Sequence, residues 1–263
     1  MRAADYPYFD DPPLALAHRG GALYPPNVGI ENTLAAFANA VSLGYRYLET
    51  DVHATADGHL LAFHDSRLDR VTDATGAIAD LPWAQVRVAR VAGREPIPLL
   101  AEVLESFPAA RVNVDIKATG AVRPLWQVIE RLAAHDRVCV GSFSTLRLAA
   151  FRRLAGHRVA TTAGPWGTAG LRFAPQLARH LASPTQVLQV PAEVRVGGRR
   201  LPLVTERLVD AAHELGKQVH VWTIDDLEEM HRLLDLGVDG LVSDRIDVLR
   251  DVLRARGAWP ADR

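Results

Sequence analysis

Residues 45–53 read Tyr-Arg-Tyr-Leu-Glu-Thr-Asp-Val-His, an apolar β-type run that turns polar towards its end. Within it, Glu49, Asp51 and His53 stand at alternate positions. Alternate residues of a strand share one face, so we expect these three side chains to lie on the same side. Polar groups at the C-terminal end of a buried strand are typical of β/α barrels, which place their catalytic residues there.

The rest of the chain repeats a strand-then-helix pattern. Its β-type runs are Leu14–Ala17, Tyr45–Val52, Arg111–Ile116, Val138–Gly141, Val159–Thr162, Val187–Val190, Gln218–Trp222 and Gly240–Ser243. The helix-type stretches between them include Asn32–Leu43, Val122–His135, Leu146–Leu154, Glu206–Leu215 and Leu227–Leu236. Strands that alternate with helices favour a parallel sheet, and eight such units favour a closed barrel. We therefore predict an α/β fold, a single-domain TIM-type (β/α)8 barrel over residues 1–263.

The second unit is longer than the others. Residues 53–97 hold a short β-type run, Leu60–Phe63, and turn-type glycines at Gly58 and Gly76. We interpret this segment as a small insertion after strand 2, on the loop side of the barrel. No linker or low-complexity tract suggests a second domain.

Composition narrows the possible partners. The 263 residues are 48% hydrophobic, and 30 basic against 31 acidic side chains leave a net charge of −1. This balance predicts neither nucleic acid nor an anionic membrane as partner. No apolar run approaches the roughly 20 residues that span a bilayer, and the first residues lack the apolar core of a signal peptide. The only cysteine, Cys139, lies in an apolar run and is expected to be buried. We expect a cytoplasmic monomer or homodimer without a stable membrane anchor.

Three carboxylates are predicted to meet in the barrel lumen. The run that ends at Lys117 repeats the alternation of the second strand, so Glu49, Asp51 and Asp115 should converge. Three acids in one buried place do not all stay ionised without a cation. An all-oxygen set selects one hard divalent ion, Mg²⁺ or Ca²⁺, over zinc. The alternative is an ionic plug, in which the acids pair with Arg19 and Lys117.

The neighbouring basic residues and histidines point to phosphate chemistry. Arg19 offers a forked donor and Lys117 a compact charge, the two kinds of group that bind a phosphate. His18 and His64 are the candidate acid and base, because histidine titrates near neutral pH. Asp65 follows His64 directly and is a candidate to orient its ring. His220, inside the seventh run, is expected to be a core histidine.

These residues belong to a series of motifs that extends over nearly the whole chain. The series is His18-Arg19-Gly20, Glu31-Asn32-Thr33, Glu49-x-Asp51-x-His53, His64-Asp65, Asp115-x-Lys117, Ser142-Phe143, Val221-Trp222-Thr223 and Gly237-Val238-Asp239-Gly240. In order and spacing it resembles the glycerophosphodiester phosphodiesterase family. That family also places its second catalytic histidine in an excursion after strand 2, which matches the position of His64.

The resemblance implies a role for each matching residue. His18 and His64 would be the general acid/base pair. The metal ligands would be Glu49, Asp51 and Asp115, and the phosphate would be held by Arg19 and Lys117.

The resemblance also implies roles for which a competing interpretation exists. Trp222 would pack on the substrate at the barrel mouth, or else cap strand seven as a core residue. Glu31 would face the site while Asn32 or Thr33 caps the following helix, or else all three residues only cap that helix. His53 would support the acids, since its position in the strand groups it with them.

The chain departs from the family pattern at three places. Asp115 stands where the family usually has glutamate, so its carboxylate should reach less far into the lumen. The loop Tyr24–Ile30 is longer than usual, and Ile224-Asp225 replaces the valine and asparagine that often follow the Trp-Thr pair.

The predicted function is metal-dependent hydrolysis of glycerophosphodiesters to sn-glycerol 3-phosphate and an alcohol. One alternative is a lipid phosphodiesterase similar to lysophospholipase D or sphingomyelinase D, which the absence of an apolar anchor or basic patch disfavours. Another is a barrel that binds a phosphorylated ligand without turnover, for which we would expect a histidine or acid to be missing. A sugar-phosphate isomerase or aldolase accounts less well for the two histidines and three acids.

Overall fold

The computed structural model describes residues 1–10, 12–174, 184–196 and 198–259. The strands of its main sheet are β1 (Leu14–His18), β2 (Tyr47–Ala54), β3 (Arg111–Ile116), β4 (Val138–Gly141), β5 (Ala160–Thr161), β6 (Val187–Pro191), β7 (Gln218–Trp222) and β8 (Gly240–Ser243). Within these ranges, the α-helices are α1 (Leu34–Ser42), α2 (Trp83–Val86), α3 (Leu100–Ser106), α4 (Val122–Arg131), α5 (Thr145–Ala155), α6 (Pro165–Phe173), α7 (Glu206–Glu214), α8 (Leu227–Asp235) and α9 (Ile246–Ala255). Short 3₁₀ turns occupy Ala3–Asp5, Pro25–Asn27, Ile78–Asp80, Thr119–Ala121 and His135–Arg137.

The eight strands pair in parallel in the order β5-β4-β3-β2-β1-β8-β7-β6. The ring is nearly closed between its two end strands, where Thr162 forms a parallel bridge with Val187. Two backbone hydrogen bonds strengthen that seam, from Gln186 N to Thr161 O at 3.0 Å and from Ala163 N to Val187 O at 2.7 Å. The predicted single-domain (β/α)8 barrel is confirmed.

The segment after β2 has a small core of its own. A strand at Leu60–Ala62 pairs antiparallel with the end of β2, and Arg90–Val91 pairs with Glu95–Pro96 in a separate ribbon. The buried apolar residues here are Leu61, Phe63, Leu68, Ile78, Val86, Ala89, Val91 and Ile97. Because this core is anchored to β2, the residues that follow Ala62 are carried to the mouth of the barrel.

Other elements differ from their predicted bounds. The helix predicted to reach His135 ends at Arg131, because Ala133 adopts a left-handed backbone with φ 48° and breaks the helical pattern. An antiparallel hairpin, Glu193–Val196 with Arg199–Pro202, follows β6 and has no counterpart in the sequence prediction.

Two expectations about burial and membranes can be checked directly. Cys139 is a free, fully buried residue of β4, as expected. Over the described ranges, no helix has the length and apolar character needed to cross a membrane.

Candidate active site

The strand register sets the candidate polar residues side by side at one end of the barrel. His18 is level with Glu49, and Asp51 is level with Asp115 on the neighbouring strand. These C-terminal strand ends border a cavity of ≈ 560 Å³. Its charged and polar lining includes His18, Arg19, Glu49, Asp51, His64, Asn113, Asp115 and Lys117. The cavity is therefore where a substrate would meet the predicted residues.

Lys117 lies between two of the three carboxylates. Its Nζ is 2.8 Å from Asp51 Oδ1 and 2.6 Å from Asp115 Oδ2, and both acids are buried. Burial alone would raise the pKa of Asp51, but Lys117 and Arg19 outweigh it and hold that pKa below its usual value. Burial likewise works against the charge on Lys117, yet the two acids leave its pKa raised. Asp51 and Lys117 thus favour each other's charged form.

Glu49 has a less complete set of partners. Its Oε2 accepts a hydrogen bond from the backbone N–H of Arg19 at 3.1 Å and lies 3.8 Å from His18 Nε2. Burial and the charge of Asp51 raise the pKa of Glu49 to about 7. A buried carboxylate with such a raised pKa indicates that positive charge is in short supply beside it.

The same residues can be tested as a metal site. In the part of the chain that the structure describes, no three His, Cys, Asp or Glu side chains are already arranged around a common ion, since Lys117 takes the central place. However, Asp115 Oδ1 is buried without a hydrogen-bond partner, which is costly. The donor set is entirely oxygen, as a hard divalent cation requires. Such an ion fits the ligand chemistry of Glu49, Asp51 and Asp115, provided that Lys117 gives up its contact with Asp51 or Asp115.

A carboxylate holds the ring of His18. Its Nδ1 donates to Asp244 Oδ1 at 2.8 Å, which leaves Nε2 as the nitrogen available to a ligand. Burial lowers the pKa of His18, but the charge of Glu49 and the bond to Asp244 outweigh it and leave the pKa raised. The surroundings of His18 thus favour its protonated form.

His64 is held in a similar way from the insertion. Its Nδ1 donates to Asp65 Oδ1 at 2.6 Å, as the sequence suggested. Its backbone carbonyl accepts a hydrogen bond from His53 Nε2 at 3.0 Å. His53 borders a second, more open cavity together with His64 and Lys117. The end of β2 pairs with Leu60–Ala62, and this pairing brings the His53 ring against residue 64.

The Glu31-Asn32-Thr33 motif divides into three separate functions. Glu31 Oε1 accepts from Arg19 Nη1 at 3.1 Å, on the site side. Asn32 Nδ2 lies 3.4 Å from Asp51 Oδ2, so it helps to hold that acid. Thr33 is the N-cap of α1, where its hydroxyl accepts from Ala36 N at 3.2 Å.

The opposite wall of the cavity is apolar. Trp222 stands at its edge, and its ring meets that of Phe143 edge-on at 5.4 Å between centroids. Lys117 Nζ lies 5.7 Å from the Phe143 ring centroid. The remaining apolar lining is Ala163, Pro165, Ala169, Phe173, Val190, Pro191, Val194, Leu203 and Val242.

Several residues of the site were not singled out from the sequence. Asp244 directly follows β8, so the rule that strand ends carry the chemistry could have identified it. Gln189 exchanges two amide hydrogen bonds with Asn113 across the lumen, at 2.8 and 3.3 Å. Arg70 binds Glu31 and Asp65 from the insertion, and no local sequence pattern marks it.

This arrangement agrees with the comparison of the chain with protein families. The family model described as the glycerophosphoryl diester phosphodiesterase family matches residues 18–248. The chain belongs to this family. Membership makes it a phosphoric diester hydrolase.

Individual relatives cover most of the chain. A Mycobacterium tuberculosis protein named "Probable glycerophosphodiester phosphodiesterase 2" is 42% identical over 251 residues, 94% of this chain and 92% of that protein. Human lysophospholipase D is 28% identical and covers 90% of this chain and 85% of its own. An Oleispira antarctica phosphodiesterase, solved in complex with the product sn-glycerol-3-phosphate, has a TM-score of 0.75 at 22% identity, with 92% and 97% of the two chains covered.

Proposed function

We propose that this family member hydrolyses glycerophosphodiesters to sn-glycerol 3-phosphate and an alcohol in a divalent metal-dependent reaction. The observation that carries the proposal is the pair of histidines, each held through Nδ1 by a carboxylate, on one cavity with Arg19 and Lys117. Two oriented imidazoles beside phosphate-binding cations provide general acid/base catalysis of phosphoryl transfer. The relatives named for this activity support the same reaction.

The cations of the site would receive the phosphate. Arg19 contacts Glu31 and Asp51 and presents a fixed fork to the cavity, while Lys117 adds a point charge beside Asp51 and Asp115. A divalent cation, Mg²⁺ or Ca²⁺, held by Glu49, Asp51 and Asp115, would supply Lewis-acid polarisation of a phosphoryl oxygen. A bound phosphate would give Lys117 another anion to pair with, besides Asp51 and Asp115.

The histidines would move the protons. One takes a proton from the nucleophile. If water attacks, sn-glycerol 3-phosphate forms directly; if the neighbouring glycerol hydroxyl attacks, the alcohol leaves and a cyclic phosphate forms, which water then opens to sn-glycerol 3-phosphate. The other donates a proton to the leaving alcohol oxygen. In both rings Nδ1 is bound to a carboxylate, so Nε2 is the atom that exchanges the proton, and the carboxylate stabilises the ring when it is charged.

We propose a small phosphodiester as the partner of this site. We also propose the cytoplasm as the compartment, which is consistent with a single cysteine that is free and buried.

Single histidine variants test this proposal. His18→Ala and His64→Ala should each lower kcat on glycerophosphocholine by roughly 10²–10⁴-fold, because each removes one proton-transfer step. The folded state, followed by circular dichroism, should be retained. His59→Ala serves as the control, since His59 lies on the outer surface of the insertion against Trp83. Turnover by His64→Ala close to that of wild type would contradict the two-histidine mechanism.

A second candidate substrate, a lysophospholipid, is favoured by the apolar wall of the cavity. Residues of α6, β6 and the hairpin after β6 form this wall, and the cavity volume of ≈ 560 Å³ leaves room beyond the phosphate. An acyl chain would bury apolar surface there, at roughly 0.8 kcal/mol for each CH₂. The apolar wall therefore supports a lysophospholipid substrate, which the amino-acid composition did not.

A blocking variant separates the two substrates. Ala169→Phe places a ring on the apolar wall and leaves the polar wall intact. If lysophospholipids are substrates, kcat/KM for a monoacyl glycerophosphocholine below its micelle concentration should fall about tenfold or more, with glycerophosphocholine unaffected. Equal effects on both substrates, or no turnover of the lipid by wild type, would exclude lysophospholipids as substrates.

A further inference from the structure

Arg70, in the insertion after β2, joins two carboxylates with a single guanidinium group. One edge of the fork donates to Asp65, from Nε to Oδ2 at 2.6 Å and from Nη2 to Oδ1 at 3.0 Å. The other edge donates to Glu31, from Nη1 to Oε2 at 3.1 Å and from Nη2 to Oε1 at 2.7 Å. Both contacts are bidentate, the geometry in which arginine–carboxylate pairs are strongest and most directional.

Each of these carboxylates also holds a residue of the active site. Asp65 Oδ1 accepts from His64 Nδ1 at 2.6 Å, and Glu31 Oε1 accepts from Arg19 Nη1 at 3.1 Å. A continuous series of contacts thus extends from Arg19 through Arg70 to His64. The two ends belong to different elements: Arg19 follows β1, whereas His64 lies in the insertion.

The charges along this series favour a fixed arrangement. The bonds from Arg70 outweigh the partial burial of Asp65 and lower its pKa to about 2. Burial alone would raise the pKa of Glu31, but Arg70 and Arg19 reverse the direction and leave it lowered. Both acids therefore remain ionised, and the guanidinium lies between two permanent negative charges. A lysine would supply the charge without the fork that binds both groups.

We propose that Arg70 is a positioning residue, which fixes the catalytic His64 relative to the phosphate-binding Arg19. The inference rests on the proposed function, because it acts through the role assigned to His64. Arg70 itself is about half exposed and lies outside the main cavity, so it is not a catalytic residue. Its loss would let the His64 ring move away from the phosphate.

A matched set of arginine variants tests the proposal. Arg70→Ala should lower kcat on glycerophosphocholine about tenfold to a hundredfold with little change in KM, since a displacement of about 1 Å at a catalytic group has effects of this size. Arg70→Lys should lose nearly as much activity, because it lacks the fork. Arg67→Ala is the control, since Arg67 is also in the insertion but pairs with the exposed Asp69. Added guanidinium ion should restore part of the kcat of Arg70→Ala and leave Arg67→Ala unchanged.

A double-mutant cycle distinguishes positioning from a general structural role. In a His64→Ala background, Arg70→Ala should change kcat less than about twofold, because the group it positions is already absent. Guanidinium should then restore nothing. A full additional loss in that background, or wild-type kcat in Arg70→Ala, would overturn the proposal. If His64→Ala itself retained turnover, the proposed function would fail first, so the two failures can be told apart.

Discussion

At the scale of single residues, the surroundings of a histidine determine what its ring can do. His18 and His64 are both bound at Nδ1 by a carboxylate and present Nε2 to the cavity. His220 is fully buried in β7, and its Nε2 lies 2.9 Å from Gln218 Oε1. The sequence prediction of a core histidine at position 220 is confirmed.

His220 should make stability depend on pH. Burial lowers its pKa from 6.5 to about 3, so the folded protein keeps the ring neutral where the unfolded chain protonates it. Between these values the unfolded state binds more protons, and stability is therefore lost as the pH falls from 6.5 towards 3. Between pH 7.5 and 5 the contribution is about 2 kcal/mol. In urea unfolding at both pH values, His220→Asn should lose less stability on acidification than wild type. His157→Asn, at an exposed site, is the control and should behave as wild type.

Asp115 tests the proposed metal ligands. Asp115→Asn keeps the shape but removes the charge, so we expect weaker metal binding and lower activity together, whereas Asp115→Glu should retain substantial activity. The measurement is activity against Mg²⁺ or Ca²⁺ concentration for wild type and both variants. If Asp115→Asn required no more metal than wild type, Asp115 would not be a ligand and only Glu49 and Asp51 would remain.

At the scale of elements, the turn from β1 to α1 brings Arg19 and Glu31 together. Within this turn Gly20 has φ 86°, and an added Cβ there would lie 2.9 Å from Ala36 Cβ. Beneath the turn, the buried Asn27 donates from Nδ2 to Gly20 O at 2.8 Å. The loop Tyr24–Ile30 therefore supports the turn that carries Arg19.

A pair of glycine variants measures how tightly this turn is constrained. Gly20→Ala should lower the free energy of unfolding by about 2–4 kcal/mol, from the backbone conformation and the contact with α1 combined. Gly58→Ala has nearly the same φ, 85°, but nothing within 4 Å of the added Cβ, so it should cost only about 1 kcal/mol. Thermal or urea unfolding of both variants gives the comparison. Equal losses would mean that the contact with Ala36 contributes nothing.

The elements also show what a sequence can reveal. Period-two alternation identified β2 and β3 with their acids, because inward and outward faces of a strand leave a direct pattern in the chain. The hydrogen bond from His53 to the backbone carbonyl of residue 64 was not predictable, because it depends on how the end of β2 pairs with Leu60–Ala62. Arg70 was missed for the same reason, since its partners Glu31 and Asp65 meet only after the insertion folds over the barrel mouth.

At the scale of the whole molecule, barrel closure concentrates the chemistry at one end. The register aligns His18 with Glu49 and Asp51 with Asp115, so residues far apart in sequence share one cavity. The apolar wall opposite them comes from α6 and from the hairpin after β6, which the sequence pattern did not predict. The proposed reaction could be predicted from the polar motifs. The shape of the substrate site could be described only once the fold was known.

The measurement that tests the central proposal most directly is the identity of the phosphate product, followed by ³¹P NMR with glycerophosphocholine as substrate. Purified protein with added Mg²⁺ or Ca²⁺ should release sn-glycerol 3-phosphate and choline. A chelator should abolish the signal, and excess metal should restore it, because Glu49, Asp51 and Asp115 are proposed to hold the ion. Release of phosphocholine, or undiminished turnover after exhaustive chelation, would contradict the proposed reaction.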